Sequence, residues 1–322
     1  MIHEGQMRSA LLYVVEAKRM KLAGIAAYKT IVMTILALVG VLIYKWNIVD
    51  DEMNRKLSEL VLTVLTPVLL FTSFQKEFSS EMASGLLIST GLSALAFLII
   101  WGISKLVINK KDKDYAALEH IAIMYSNCGF IGIPMAQGLF GSDGVFYMTA
   151  FVAMANFLLW SHGVIVMSGK SDLKSLIKVF TSPTILSIVT GIICFCMQIR
   201  IPKIIEEPME MIASMNTPMA MIVAGINIAQ VDLRKTFSRL RVYWMCVVRL
   251  LIMPFAVIGV LYFLSVPQEI KTIIVLASAC PVGVTGSLFA LRYGKDAGYA
   301  SELFAMSTVV SIVTIPFLMV FC

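Results

Sequence analysis

The chain has 322 residues, of which 59% are hydrophobic and 14% are charged, and its mean hydropathy is +0.87. Soluble globular proteins are about 45–50% apolar and about 25% charged, so this composition excludes an ordinary soluble enzyme or binding domain. A net charge of +6 would suit a nucleic-acid partner. The basic residues, however, lie between long apolar blocks, and this pattern indicates a membrane protein with no nucleic-acid partner.

The first predicted element is a basic N-terminal arm, residues 1–27. It carries Arg8, Lys18, Arg19 and Lys21 around a short apolar run. Two interpretations stay open for this arm. It is either an amphipathic helix that lies at the membrane interface or a frayed basic tail.

Ten apolar blocks follow the arm, and each is long enough to cross about 30 Å of hydrocarbon, which takes roughly 20 helical residues. The blocks are Tyr28–Trp46, Leu57–Phe74, Ser84–Val107, Leu118–Phe140, Val145–Ser168, Pro183–Ile199, Pro208–Ala229, Val242–Leu264, Ile270–Leu291 and Tyr299–Phe321. We therefore predict an all-α integral membrane protein with ten transmembrane helices. Five spans occupy residues 28–168, a short cytoplasmic loop occupies residues 169–182, and five more spans occupy residues 183–322.

The distribution of positive charge predicts the orientation of the chain. The loops after odd-numbered spans contain sixteen Lys and Arg residues, whereas the loops after even-numbered spans contain four. Loops rich in Lys and Arg stay on the cytoplasmic side. We therefore expect a multi-pass protein of the plasma membrane with both termini outside the cytoplasm, although the basic arm argues against this orientation.

The two halves of the chain contain matching residues at a constant offset. Gly40 and Gly191 are 151 residues apart, as are Pro67 and Pro218, and each of these prolines follows a threonine. Because five spans is an odd number, a second copy enters the membrane from the opposite side. Inverted repeats of this kind are typical of secondary transporters. The alternative is coincidence among abundant Gly and Pro residues.

The fourth and ninth spans are interrupted by Gly and Pro at corresponding positions, in the segments 125–134 and 277–287. Pro134 and Pro281 each remove a backbone hydrogen bond from a helix. A matched pair of interrupted helices is the best sequence indication of a transporter binding site. Each break also creates a half-helix N-terminus, whose free N–H groups attract a carboxylate. For either span alone, the alternative is an ordinary proline kink.

These segments resemble the auxin efflux carrier family, which includes bacterial permeases for small dicarboxylates. The resemblance covers the chain from about Tyr28 onward. The residues that carry it are Asn127, Pro134, Phe140-Gly141, Asn156, Trp160, Ser278 to Pro281, Ser307-Thr308, Ser311, Thr314 and Pro316. It implies a scaffold of spans one, two, six and seven, which also forms a homodimer. It further implies a transport domain that moves like an elevator, with the broken helices crossing at their prolines. The short central loop is like that of prokaryotic members.

Asn127 is the leading candidate for substrate binding, because an amide near the crossing can donate to a carboxylate without the cost of a buried charge. The alternative is an asparagine that satisfies the broken backbone. Asn156 offers either a second polar contact or a hydrogen bond between helices. The predicted substrate-binding set is Asn127, Gly129, Pro134, Asn156, Pro281 and Thr285.

Arg249 and Glu302 are candidates for ion coupling or for a charge pair within the membrane. Arginine in the middle of a membrane helix is costly, so such a residue is usually functional or paired. Arg249 either attracts the anion, pairs with Glu302, or extends its side chain to the cytoplasmic face. Glu302 is either an interfacial residue or a buried acid that couples transport to H⁺ or Na⁺.

The sequence predicts no enzyme, cofactor or metal site. HExxH, P-loop and paired mid-span aspartates are absent, and the six cysteines form no CxxC pair. We therefore expect a carrier for a small organic anion, such as a carboxylate or dicarboxylate. A channel or a membrane receptor with an anion site in mid-membrane is the alternative.

Overall fold

The computed structural model describes residues 2–108, 113–169, 180–231 and 233–322. In these ranges the chain is helical, and one isolated β-bridge is the only strand-like pairing. The helices are α1 (Ile2–Lys45), α2 (Asp51–Ser73), α3 (Ser80–Val107), α4 (Lys113–Met124), α5 (Cys128–Ser168), α6 (Pro183–Met197), α7 (Lys203–Ser214), α8 (Asn216–Ala229), α9 (Leu233–Ser238), α10 (Leu240–Tyr262), α11 (Gln268–Ala279), α12 (Thr285–Arg292) and α13 (Ala297–Met319).

Polar side chains define where several of these helices begin. An oxygen of each capping side chain accepts a hydrogen bond from a backbone N–H of the first turn, which otherwise has no partner. The capping residues are Asp50 for α2, Ser79 for α3, Ser182 for α6 and Asp296 for α13. Within α5, Gly141 has a φ of 63°, which only glycine adopts readily, and the helix direction changes there.

In the part of the chain that the structure describes, seven helices are long and apolar enough to cross a membrane. One of them, Cys128–Ser168, bends at Gly141 and contains parts of two predicted spans. Shorter apolar helices, Tyr115–Met124 and Pro183–Met197, lie where the fourth and sixth spans are predicted. The prediction of an all-helical membrane protein is therefore confirmed in its coarse form for the described residues.

The N-terminal arm is helical and continues directly into the first predicted span. Helix α1 runs for 44 residues without a break. Its position at a membrane interface stays a prediction. Most of the predicted cytoplasmic loop 169–182 lies outside the described residues.

Helices α1 and α8 come from opposite halves of the chain and pack at very close range. A Cβ atom on Gly225 would lie 1.8 Å from the carbonyl oxygen of Ala37, and one on Gly40 would lie 2.1 Å from that of Ile222. Glycine is therefore required for this backbone approach. It explains why Gly40 stands in the middle of an otherwise apolar helix.

Three helices accommodate an internal proline by means of a wide turn. The π-helical turns Val61–Leu65, Cys128–Gly132 and Val248–Ile252 are each followed, two residues later, by Pro67, Pro134 and Pro254 respectively. In a regular α-helix the proline ring would clash with the carbonyl four residues earlier. The wider turn lets the helix continue past the proline. Such turns are frequent at functional sites.

Candidate functional site

The two interrupted helices meet at their breaks. The first break, Tyr125 to Asn127, separates α4 from α5, and the second, Cys280 to Val284, separates α11 from α12. The segments run antiparallel and form a β-bridge between Ser126 and Val282. The N–H of Asn127 donates to the carbonyl of Pro281 at 2.8 Å, and the N–H of Gly283 donates to the carbonyl of Tyr125 at 3.1 Å. Each break thus supplies hydrogen-bond partners for the other. We call these two paired segments the crossing.

The two breaks differ in the position of the proline. Pro281 lies within the second break, as predicted from the sequence. The first break instead occurs at Asn127, whose φ and ψ of −76° and 47° are not helical, and Pro134 lies beyond the following π-helical turn. The expectation that both helices cross at their prolines is therefore met only by the second. The π-helical turn before Pro134 is the reason, because it accommodates that proline without ending the helix.

Several polar side chains at the crossing are buried and lack a hydrogen-bond partner. They are the Nδ2 amide of Asn127 and the hydroxyls of Ser126 and Ser278. A buried donor without a partner costs free energy, so these groups are candidates for contact with a ligand. A neighbouring hydroxyl, Ser307 on α13, accepts the backbone N–H of Val282 at 3.0 Å.

Arg249 brings a positive charge to the same place. It lies in the π-helical turn of α10, and only 1% of its surface is exposed. Its Nη1 donates to the carbonyl of Ile123 near the end of α4 at 3.3 Å, and its Nε and Nη2 have no partner. The π-helical turn that carries Arg249 packs against α4 and α11, the helices that lead into the two breaks. The side chain is thus buried inside the protein, in the middle of its helix.

Small residues allow the two breaks to approach each other. A Cβ atom on Gly132 would lie 3.2 Å from the Sγ of Cys280, and one on Gly283 would lie 3.2 Å from the carbonyl of Tyr125. Gly129 has open space beside it. Thr285, the first residue of α12, is half-buried and lies at the N-terminus of that half-helix.

Asn156 and Glu302 have partners away from the crossing. The amide of Asn156 donates to the carbonyl of Val152 in its own helix at 2.9 Å. Glu302 forms an ion pair with Arg239 at 3.1 Å, so the suggested pair between Glu302 and Arg249 is not formed. Helices α10 and α13 run parallel, as the further contact between their residues Phe255 and Phe317 indicates. Arg249 therefore lies about 15 Å deeper along α10 than Arg239.

A second charged cluster near the beginning of α10 was not anticipated from the sequence. Glu119 on α4 is fully buried, and its carboxylate accepts two hydrogen bonds from Arg241, of which the one from Nη2 is 2.6 Å long. The hydroxyl of Tyr299 donates to the same carboxylate at 2.9 Å. The signal was present, because Glu119 lies inside an apolar block. Its partners on α10 and α13 are distant in sequence.

His120 on α4 and His162 on α5 pack against each other beside the crossing. Their ring centroids are 5.1 Å apart. The Nδ1 of His120 lies 3.1 Å from the hydroxyl of Ser104, and the Nδ1 of His162 lies 3.1 Å from the hydroxyl of Tyr125. Among the residues that the structure describes, no group of three or more His, Cys, Asp or Glu side chains is arranged to hold a metal ion.

Comparison with known proteins identifies the family. The profile of a family described as "Membrane transport protein" matches residues 26–174 and 169–319. An uncharacterized transporter from Methanothermobacter thermautotrophicus is 25% identical over 293 residues, which cover 88% of this chain and 93% of that protein. An uncharacterized transporter from Methanocaldococcus jannaschii is 22% identical over 293 residues, covering 86% of this chain and 93% of that protein. Because the profile covers nearly the whole chain, this protein belongs to the membrane transport protein family, which is the auxin efflux carrier family that its motifs resemble.

Proposed function

We propose that this protein is a secondary transporter that carries a small organic anion, a carboxylate or dicarboxylate, with the substrate bound at the crossing. The observation that carries this proposal is the pairing of the two breaks around unpartnered polar groups. A transporter site in mid-membrane needs irregular backbone that is enclosed by protein, and the crossing has this form.

The polar groups at the crossing suit an anion. The Nδ2 of Asn127 and the Nε and Nη2 of Arg249 are donors without partners, and all are buried. An arginine fork matches a carboxylate through two parallel hydrogen bonds. The half-helices that begin at Cys128 and Thr285 add partial positive charge from their N-termini. Of the predicted substrate-binding set we assign direct contact to Asn127, and we add Arg249, which the sequence suggested for ion coupling or a charge pair.

The architecture that we propose has ten membrane spans in two inverted repeats of five. The helices lie where the ten apolar blocks are predicted, with the fourth and ninth each divided by a break. Two matched segments of the family profile, 26–174 and 169–319, divide the chain close to the predicted boundary of the repeats. The offset of 151 residues between Pro67 and Pro218 gives the same division.

We further propose that an elevator motion moves the crossing across the membrane. Helices α1, α2, α6, α7 and α8 would form the scaffold and the homodimer, and α3, α4, α5, α10, α11, α12 and α13 would move. In support, α1 and α8 face α5 and α13 across a cavity of about 130 Å³ that is lined mainly by apolar side chains, including Met33, Met135 and Met221. An apolar and flexible lining suits a surface along which helices slide.

The orientation, the location in the plasma membrane and the coupling to H⁺ or Na⁺ stay within this proposal. The loop charges support cytoplasmic loops after the odd-numbered spans. Arg249 is a buried charged side chain at the crossing, and the unwound backbone carbonyls of such breaks are a usual site for a coupling cation.

Thermal stability in the presence of candidate anions tests the proposal. Purified protein in detergent is heated with malate, malonate, succinate, lactate or indole-acetate, with and without Na⁺. A ligand that binds only the folded state stabilises it by RT ln(1 + [L]/Kd), which is about 2.7 kcal/mol at 100 times Kd. We expect one class of anion to raise the melting temperature of the wild type. In Asn127→Ala the shift should be largely lost.

The matched control is Asn227→Ala, in which a scaffold asparagine that accepts a hydrogen bond from Asn54 is removed. This variant should melt at a lower temperature but keep the full ligand-induced shift. A shift that survives in Asn127→Ala would place the site elsewhere. If no anion shifts the wild type, the proposal of an organic-anion carrier fails, and a channel or receptor becomes the better interpretation.

A further inference from the structure

Arg249 differs from the other buried charged residues that the structure describes. Glu119 is paired with Arg241 and Glu302 with Arg239, so each buried acid has a nearby opposite charge. Arg249 is equally buried but has only the carbonyl of Ile123 as a partner. Within the described residues, Arg249 is therefore a buried positive charge without a counter-charge, and it lies at the crossing.

The contacts of Arg249 assign it to the helices that move in the proposed transporter. Its hydrogen-bond partner is on α4, and the π-helical turn that carries it also packs against α11 and α13. Helix α10 itself packs on α3, α4, α11 and α13, all of which belong to the moving group. The charge of Arg249 therefore travels with the substrate site.

Carrying an unpaired charge through hydrocarbon is unfavourable, because neither water nor a counter-charge stabilises it there. A bound monoanion removes this penalty by neutralising the guanidinium. We propose that Arg249 makes this protein an obligate anion exchanger: the transport domain crosses the membrane when an anion is bound and does not return empty. This inference rests on the proposed function and specifies its mode of operation.

Two consequences distinguish exchange from net transport. Uptake of a labelled anion should require an anion on the opposite side of the membrane, since an empty carrier cannot complete the cycle. Exchange of one monoanion for another should also be insensitive to membrane potential, because no net charge moves. Net transport by a carrier with a cationic empty state would respond to the potential.

The test uses the full-length protein in proteoliposomes and radiolabelled lactate, malate and malonate as parallel probes. Vesicles contain either the same unlabelled anion or none, in a sulfate medium free of chloride, so that no small inorganic monoanion returns the carrier. We expect lactate uptake into preloaded vesicles to be about tenfold faster, or more, than into empty ones. Dianionic malate and malonate leave one negative charge at the loaded site, so they should be exchanged more slowly than lactate. A potassium diffusion potential set with valinomycin should leave lactate–lactate exchange unchanged.

Variants connect this behaviour to Arg249. In Arg249→Gln the empty carrier is neutral, so the ratio of exchange to net uptake should fall toward one, whereas Arg249→Lys should keep a high ratio. The matched control is Arg292→Gln, which removes an exposed charge from the same group of helices and should leave the ratio unchanged.

The results test three claims separately: exchange, the role of Arg249, and transport itself. Equal uptake by preloaded and empty wild-type vesicles would overturn the exchange proposal while leaving the transporter intact. A high ratio that persists in Arg249→Gln would overturn the role of this residue. If Arg249→Gln is inactive, the dependence of the wild type on internal anion still decides between exchange and net transport. An absence of uptake of every probe, together with an absence of thermal stabilisation, would refute the proposed function itself, and exchange with it.

Discussion

The buried cluster around Glu119 gives a quantitative prediction about stability. Arg241→Met would remove both hydrogen bonds and the opposite charge from a carboxylate that is 0% exposed, and would leave only the hydroxyl of Tyr299 as a partner. Removing one member of a buried ion pair typically costs about 3–5 kcal/mol, because the remaining charge stays buried. The side chain of Arg241 is 42% exposed, so water can partly replace it. We therefore expect a loss of about 2–4 kcal/mol.

A second substitution separates the cost of the stranded charge from a loss of packing. Glu119→Gln in the Arg241→Met background replaces the carboxylate by a neutral amide that still accepts the hydrogen bond from Tyr299. Since the buried charge is gone, the double variant should recover at least half of the lost stability. The two single variants and the double variant together form a double-mutant cycle.

Equilibrium unfolding in mixed detergent micelles measures these differences. A short pulse of a thiol-reactive fluorophore provides the signal in a background where the accessible Cys194 and Cys196 are replaced by Ser, because Cys128, Cys246 and Cys280 are buried in the folded protein. If Arg241→Met unfolds within about 0.5 kcal/mol of the wild type, the ion pair is of the weak surface type and our reasoning is wrong. A double variant that is no more stable than the single one would also refute it.

Two further predictions concern packing and surface charge. Gly225→Ala should lower the free energy of unfolding by about 1–3 kcal/mol or more, because the new Cβ would overlap the carbonyl of Ala37. A Cβ atom on Gly259 would meet no atom within 4 Å, so Gly259→Ala should be neutral or stabilising by up to about 1 kcal/mol. Equal effects of the two substitutions on unfolding in detergent would contradict this account. Lys76→Gln breaks an ion pair with Asp143, whose side chain is 57% exposed, and should change stability by less than about 1 kcal/mol; a larger loss would mean that this pair fixes the loop after α2 against α5.

The elements of this fold were largely predictable because a membrane imposes simple requirements on a sequence. Long apolar blocks predicted the helices, and Gly and Pro predicted the interruption in each of the two broken helices. The exact position of the first break was missed. Proline is a helix breaker, so the sequence predicted a break at Pro134. In the structure the helix is interrupted at Asn127, and Pro134 lies inside the following helix.

The pairing of charges was the part that the sequence did not determine. Arg249 and Glu302 are both charges in apolar blocks of the sequence. They lie at different heights along parallel helices, however, and Glu302 pairs with Arg239 instead. Glu119 is also a charge in an apolar block, but its partners Arg241 and Tyr299 are distant in the sequence. Which charges meet depends on the rotation and relative height of helices that are far apart in the chain, and hydropathy contains neither quantity.

The wide turns before Pro67, Pro134 and Pro254 bear on how this protein tolerates changes in length. Membrane helices as a class accept an added or deleted residue, because tilting or bilayer deformation absorbs the difference. Each π-helical turn, however, holds one extra residue without rotating the helix beyond it, and it removes the clash between the proline ring and the carbonyl four residues earlier. A single deletion within Val248–Ile252 would close that turn to a regular one and restore the clash at Pro254. The helix would still be long enough to cross the bilayer, but it would kink at Pro254, so that Arg249 and the residues beyond Pro254 would no longer face their present neighbours together. Lineages related to this protein should therefore show insertions and deletions in the loops and at helix ends, while the spacing between each wide turn and its proline stays constant.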